Sequence, residues 1–139
     1  MSTGILRTIL PLAAAALVAV ASPAIARADD GPDADVRVER PCTVRSSVRL
    51  RVSTRDDDRL RVDVDVRTVR RGARWVVVLI HERRLVARTP VRTGLGSGAF
   101  SLRRTVADWP GRDTVVVRAL GPRGEICRVA VVVQERVSD

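Results

Sequence analysis

No lysine, tyrosine or asparagine occurs in this chain, and its aromatic side chains are Trp75, Trp109 and Phe100. A nucleic-acid surface interleaves basic residues with stacking rings, so this shortage disfavours nucleic acid as a partner. Without lysine, all 25 basic residues are arginine. With Ala, Val, Gly and Asp abundant, that is the bias a GC-rich coding sequence imposes, and the arginine excess is only partly a signal for anionic partners. His81 is the sole histidine, and neither Cys42 nor Cys127 has another Cys or a His nearby, which argues against a metal or catalytic thiol. No amphipathic helical period is convincing. No uninterrupted apolar run reaches the roughly 20 residues a bilayer span requires.

What is present begins with export. Arg7 in a short polar lead, the apolar stretch Ile9–Val20 interrupted by Pro11, and small residues at Ala24-Ile25-Ala26 and Ala26-Arg27-Ala28 have the layout of a cleaved signal peptide over residues 1–28. Cleavage after Ala28 is favoured over cleavage after Ala26, and the remaining chain then has no transmembrane span. No cysteine sits at the junction to take a lipid. Residues 29–139 suit a single domain. Loss of Arg7 and Arg27 lowers the formal charge from +9 by two, to about +7. In an oxidising compartment the two cysteines have one intrachain connectivity, Cys42–Cys127. Closing so long a loop stabilises a fold by roughly 4–5 kcal/mol on the chain-entropy model.

The remaining pattern is one of strands. Residues 29–41, with the acidic lead Asp29–Asp35, read as a flexible arm, residues 42–134 as the folded domain and residues 135–139 as a frayed tail. Val44, Val48, Leu50 and Val52 alternate with Arg45, Arg49 and Arg51, with an irregularity at Ser46-Ser47, and Leu60, Val62, Val64 and Val66 alternate with charged residues, the period of half-buried strands. A hairpin through Asp56-Asp57-Asp58 with Val52 opposite Leu60 would set Arg49 against Asp63. The run Trp75–Ile80 reads as the central strand. Leu85–Thr89 reads as a short return that Pro90 marks as an edge strand or a strand end. The glycines at 94, 96 and 98 make a loop. Phe100, Leu102 and Val106 define another strand, with Arg104 off the pattern. Two apolar runs, from Thr114 and from Ile126, are joined by the turn Gly121–Glu125.

About seven strands with Trp75 opening the third, Ser97-Gly98-Ala99-Phe100 entering the fifth, Pro110-Gly111-Arg112-Asp113 leading into the sixth and Gly124-Glu125-Ile126-Cys127 opening the last resemble a bacterial immunoglobulin-like or fibronectin III-like β-sandwich. The motifs are similar, more narrowly, to small exported Ig-like proteins of actinomycetes, a group with no assigned activity. The resemblance spans roughly residues 42–134. It implies that first and last strands run parallel along a shared edge, with Cys42 and Cys127 starting them at one pole and their bridge tying them together. It also departs from antibody domains, because the sixth strand has no Cys and the chain no Tyr for a tyrosine corner.

For chemistry the sequence offers little. His81 ends the central strand, where a partly exposed histidine is commonplace and no partner is evident. Ser97 lacks the G-x-S-x-G spacing of a nucleophile elbow because Leu95 stands in the first glycine's place. Asp56-Asp57-Asp58 lacks the spaced carboxylates of a calcium loop and is flanked by Arg55 and Arg59. No cofactor motif, metal site or catalytic residue is expected, and the chain is read as not an enzyme. Candidate anion-binding residues are Arg70, Arg71, Arg74, Arg83, Arg84 and Arg88. Val76, Val78, Ile80 and Val132 are a candidate interaction stripe, for a protein or cell-wall partner or a second copy of the chain. The expectation is a secreted or cell-surface, non-catalytic Ig-like module for protein binding or a structural role. The alternative is an Arg-rich protein binding wall polymer or anionic lipid, with a hydrolase a distant third.

Overall fold

The structure, a computed structural model, describes residues 35–134. The expected signal peptide at 1–28, residues 29–34 of the arm and the tail at 135–139 lie outside the described residues. Apolar residues at alternate positions mark most of the strands, β5 excepted: β1 (Asp35–Pro41), β2 (Ser47–Arg55), β3 (Arg59–Arg67), β4 (Arg74–His81), β5 (Arg84–Arg92), β6 (Ala99–Ala107), β7 (Arg112–Leu120) and β8 (Ile126–Gln134). Period-two alternation sends one set of side chains inward and the other outward. β-branched valine also suits the pleated surface.

The strands form two antiparallel four-stranded sheets, ordered β1-β2-β3-β6 and β5-β4-β7-β8. Their inner faces meet in one core of a β-sandwich: Val48, Leu50 and Val52 from β2, Leu60 to Val66 from β3, Trp75, Val77 and Leu79 from β4, and the inward valines of β7 and β8. Trp75 tilts against Phe100 of the opposite sheet, ring centroids 5.9 Å apart. β4, the expected central strand, is interior to its sheet. No helix among the described residues is long and apolar enough to cross a membrane.

Four expectations need correction. First, residues 35–41 are not part of a flexible arm. Asp35–Pro41 pairs with β2 along its whole length, because Val36 supplies a core side chain while Asp35 and Glu39 meet Arg51 and Arg49. There are therefore eight strands rather than seven. Second, the β2–β3 register is shifted by two residues: Val52 faces Val62, Arg49 faces Asp65 and Arg51 faces Asp63. The strands extend to Arg55 and Arg59, and a three-residue turn closes them with Asp58 at φ 53°. Third, β5 is not cut short at Thr89 but runs through Pro90 to Arg92. It is an edge strand, where a missing amide donor is tolerated.

Fourth, the disulfide forms between Cys42 and Cys127, but Cys42 starts no strand. It lies in the turn between β1 and β2, whereas Cys127 is the second residue of β8. The bridge therefore runs from one sheet's turn to the other sheet's edge and crosses the sandwich. Two hydrogen bonds reinforce it: the Thr43 amide donates to the Ile126 carbonyl at 3.0 Å, and the Ile126 amide donates to Thr43 Oγ1 at 2.9 Å.

Candidate functional site

Two places bring chemistry-bearing residues together, one pole of the sandwich and the outer face of the β5-β4-β7-β8 sheet. At the pole, His81 is the last residue of β4 and shares the inward face of Trp75, Val77 and Leu79. Contrary to expectation it is buried, at 2% exposure, as is Asp113 at 1%. His81 Nε2 is hydrogen-bonded to Asp113 Oδ1. Trp109 lies over the imidazole with ring centroids 4.8 Å apart, and the Arg84 guanidinium covers the indole at 5.5 Å. Glu82 joins the group through the β4–β5 turn. Its amide donates to the Thr114 carbonyl at 3.0 Å, and its side chain accepts the Thr114 amide hydrogen.

His81, Glu82 and Asp113 bring ligand-type atoms within 4.8 Å of one another. Each is already engaged within the protein, Asp113 with His81 and Glu82 with Thr114. The arrangement fastens the start of β7 to the end of β4. A hydrolytic reading would need Ser97 here, and it is elsewhere. The Gly94–Gly98 loop lies beside Ala73 at the beginning of β4, through the Thr93 amide on the Ala73 carbonyl, a strand's length from His81. Asp113 was the residue the sequence hid, although it has the inward parity of Val115, Val117 and Ala119.

The two outer faces differ in charge. On the β1-β2-β3-β6 sheet, arginines and carboxylates alternate across the strands and pair. Arg49 holds Glu39 at 2.9 Å, Arg103 holds Asp63 at 2.6 Å, and Arg51 Nε donates to Asp35 at 2.8 Å. That last contact, by hydrogen bond and then charge, raises the Arg51 pKa above its usual value. Such exposed pairs are individually weak, and among the described residues Arg37, Arg55 and Arg67 of the same face have no ion pair, so the face stays basic but has carboxylates among its arginines.

The outward residues of β4, β5, β7 and β8 include no Asp or Glu. Cross-strand register arranges them in rows. Pro90, Val76, Leu120 and Ile126 make one apolar row, and Leu85, Ile80, Val116 and Ala130 another. Between them runs Arg88, Val78, Arg118 and Arg128. Arg74 and Arg92 are a further facing pair at the end of the sheet. Arg92 donates to the Gly72 carbonyl at 3.0 Å. Among the described residues, Arg74, Arg88, Arg118 and Arg128 have no ion pair.

No family model, curated protein or solved structure matches this chain. The expected stripe Val76, Val78 and Ile80 does lie on this outer face, with Val132 two strands away on β8 opposite Thr114. Of the six candidate anion-binding arginines, the structure brings only Arg74 and Arg88 to this face. Arg70 and Arg71 are in the β3–β4 connection, and Arg83 and Arg84 are at the opposite pole. Arg118 and Arg128, which complete the row, were missed because a lone arginine within a valine run reads only as an outward position. Asp56-Asp57-Asp58 forms an exposed hairpin tip, with Asp57 3.9 Å from Arg59.

Proposed function

We propose that this protein is an exported, non-catalytic Ig-like binding module whose working surface is the outer face of the β5-β4-β7-β8 sheet. The observation that carries the reading is the contrast between one outer face whose arginines are interleaved with carboxylates and another lined by aliphatic side chains and arginines with no carboxylate among them. A surface that only has to meet water has no need of aliphatic rows on both sides of an arginine row. The disulfide and the signal-like leader favour export.

The Ig-like reading draws support from the connections. Counted from β2, the first, second and fifth strands share one sheet, and the third, sixth and seventh share the other, the partition of an immunoglobulin domain. The fourth, β5, joins the second sheet, and β1 is an addition beside β2. Trp75 is buried on the third of these strands, the position of the Ig-domain tryptophan, but packs on Phe100 instead of a disulfide.

The test is retention on the cell-wall fraction of the cells that export it. Leu85 and Val132, 65% and 41% exposed on this sheet, are replaced together by Asp, with Val69→Asp as an exposed control in the β3–β4 connection. Loss of retention in the double variant alone supports the reading. Equal retention of all three proteins contradicts it.

A further inference from the structure

We infer that the occupant of this face is a protein surface presenting carboxylates flanked by aliphatic side chains. The inference rests on the reading of that face as the working surface. On this face like charges stand directly opposite one another. Arg118 faces Arg128 across β7 and β8, and Arg74 faces Arg92 across β4 and β5. Like charges at such positions are destabilising, and within the described residues no carboxylate relieves the first pair. The opposite sheet sets Arg49 against Asp65 and Arg51 against Asp63; it too opposes Arg37 to Arg51 and Arg55 to Arg59, but there Asp35 and Asp57 lie against Arg51 and Arg59. Unrelieved repulsion on one face is a local conflict of the kind that functional sites retain, and an anionic partner removes it.

The aliphatic rows narrow the chemistry. A simple polyanion, whether polyphosphate or an acidic polysaccharide, would satisfy the arginines and leave the two apolar rows facing its water. A second copy of this chain laid face to face would bring arginine against arginine. An anionic bilayer would reach the guanidinium groups first, because Val76, Val78 and Ile80 are half-buried at the level of the sheet, below the reach of the longer arginine side chains. A protein surface can lower aliphatic side chains beside the arginine row and set Asp or Glu against it, and arginine suits such desolvated, bidentate pairing. Carboxylates on one helical face recur about every 5 Å, close to the ~4.8 Å spacing between strands. An acidic amphipathic helix is accordingly a fair probe.

The experiment measures binding of four probes to the intact protein at low and at physiological salt: a synthetic helical peptide with a Glu face flanked by Leu, its scrambled form, poly-glutamate of equal length, and phosphatidylglycerol vesicles. The expected result is binding of the amphipathic peptide about tenfold or more tighter than the other three. Arg118→Glu and Arg128→Glu should each weaken it by about tenfold, whereas Arg37→Glu, on the opposite sheet, should leave it unchanged. All three variants are checked for the wild-type circular dichroism spectrum. Absent peptide binding, equal binding of the scrambled peptide or poly-glutamate, equal binding of vesicles, or an equal effect of Arg37→Glu would each overturn the inference. If the Leu85/Val132 variant loses wall retention while the peptide result is negative, the face stands and the acidic-protein class fails. If retention is unaffected, the face itself is wrong.

Discussion

At the residue scale the account rests on a few positions with no latitude. Gly98 adopts φ +65°, and a Cβ there would lie 2.4 Å from the Thr68 carbonyl oxygen, a backbone atom just after β3 in a residue whose own amide donates to the Gly98 carbonyl at 3.1 Å. Gly98→Ala should therefore destabilise the fold by more than about 1 kcal/mol, read as a lower denaturation midpoint. The His81–Asp113 pair makes a different prediction. Replacing His81 by Ala leaves a buried carboxyl without its partner and should cost about 3 kcal/mol or more, whereas replacing both residues by Leu should recover much of that loss. A His81→Ala variant as stable as the parent would show that the pair does not hold β7 to β4.

At the element scale, the β4–β5 turn holds two non-glycine residues in the left-handed region, Glu82 at φ 47° and Arg83 at φ 62°. Glu82 has a reason to be there, since its carboxylate receives the Thr114 amide. Among the described residues, the Arg83 side chain has no hydrogen bond or ion pair that would explain it. Arg83→Gly should stabilise the protein by about 1 kcal/mol, measured by urea denaturation, and a loss of stability would mean that the arginine side chain supports the turn.

The same elements mark what was legible in the sequence. Clean alternation fixes β2 and β3, because the outward charges confirm the inward apolar residues beside them, whereas β4 is legible from its unbroken β-branched and aromatic run. The hairpin tip was legible as a turn but not in its length, since Arg55-Asp56-Asp57-Asp58-Arg59 does not say which residue takes positive φ; the register consequently slipped by two. β1 was hidden by Asp35 and Glu39, which in isolation look like a solvated lead and in the sheet are partners for Arg51 and Arg49. The outer-face row was half legible. Val76, Val78 and Ile80 stand out within β4, but Arg118 and Arg128 become neighbours only through the pairing of β7 with β8.

At the scale of the whole molecule, the bridge and the charge distribution govern behaviour. The disulfide joins residues 85 positions apart and crosses from one sheet to the other. Replacing both cysteines by Ser should lower stability by about 4–5 kcal/mol on the chain-entropy model. An unchanged denaturation midpoint under reducing and oxidising conditions would contradict that. The outer faces then differ, one mixing arginines with carboxylates that pair with them and the other cationic and aliphatic with no carboxylate.

The most direct test of that division is the melting temperature of Arg128→Glu against the parent at low and at high salt. Exchanging the Arg118–Arg128 repulsion for an opposite-charge pair should stabilise the unliganded protein by about 0.5–1 kcal/mol, raising Tm by about 2–6 °C, and high salt should shrink the difference. A Tm that stays put or falls at low salt would contradict the account, because the arginines would then be in no conflict for a partner to relieve.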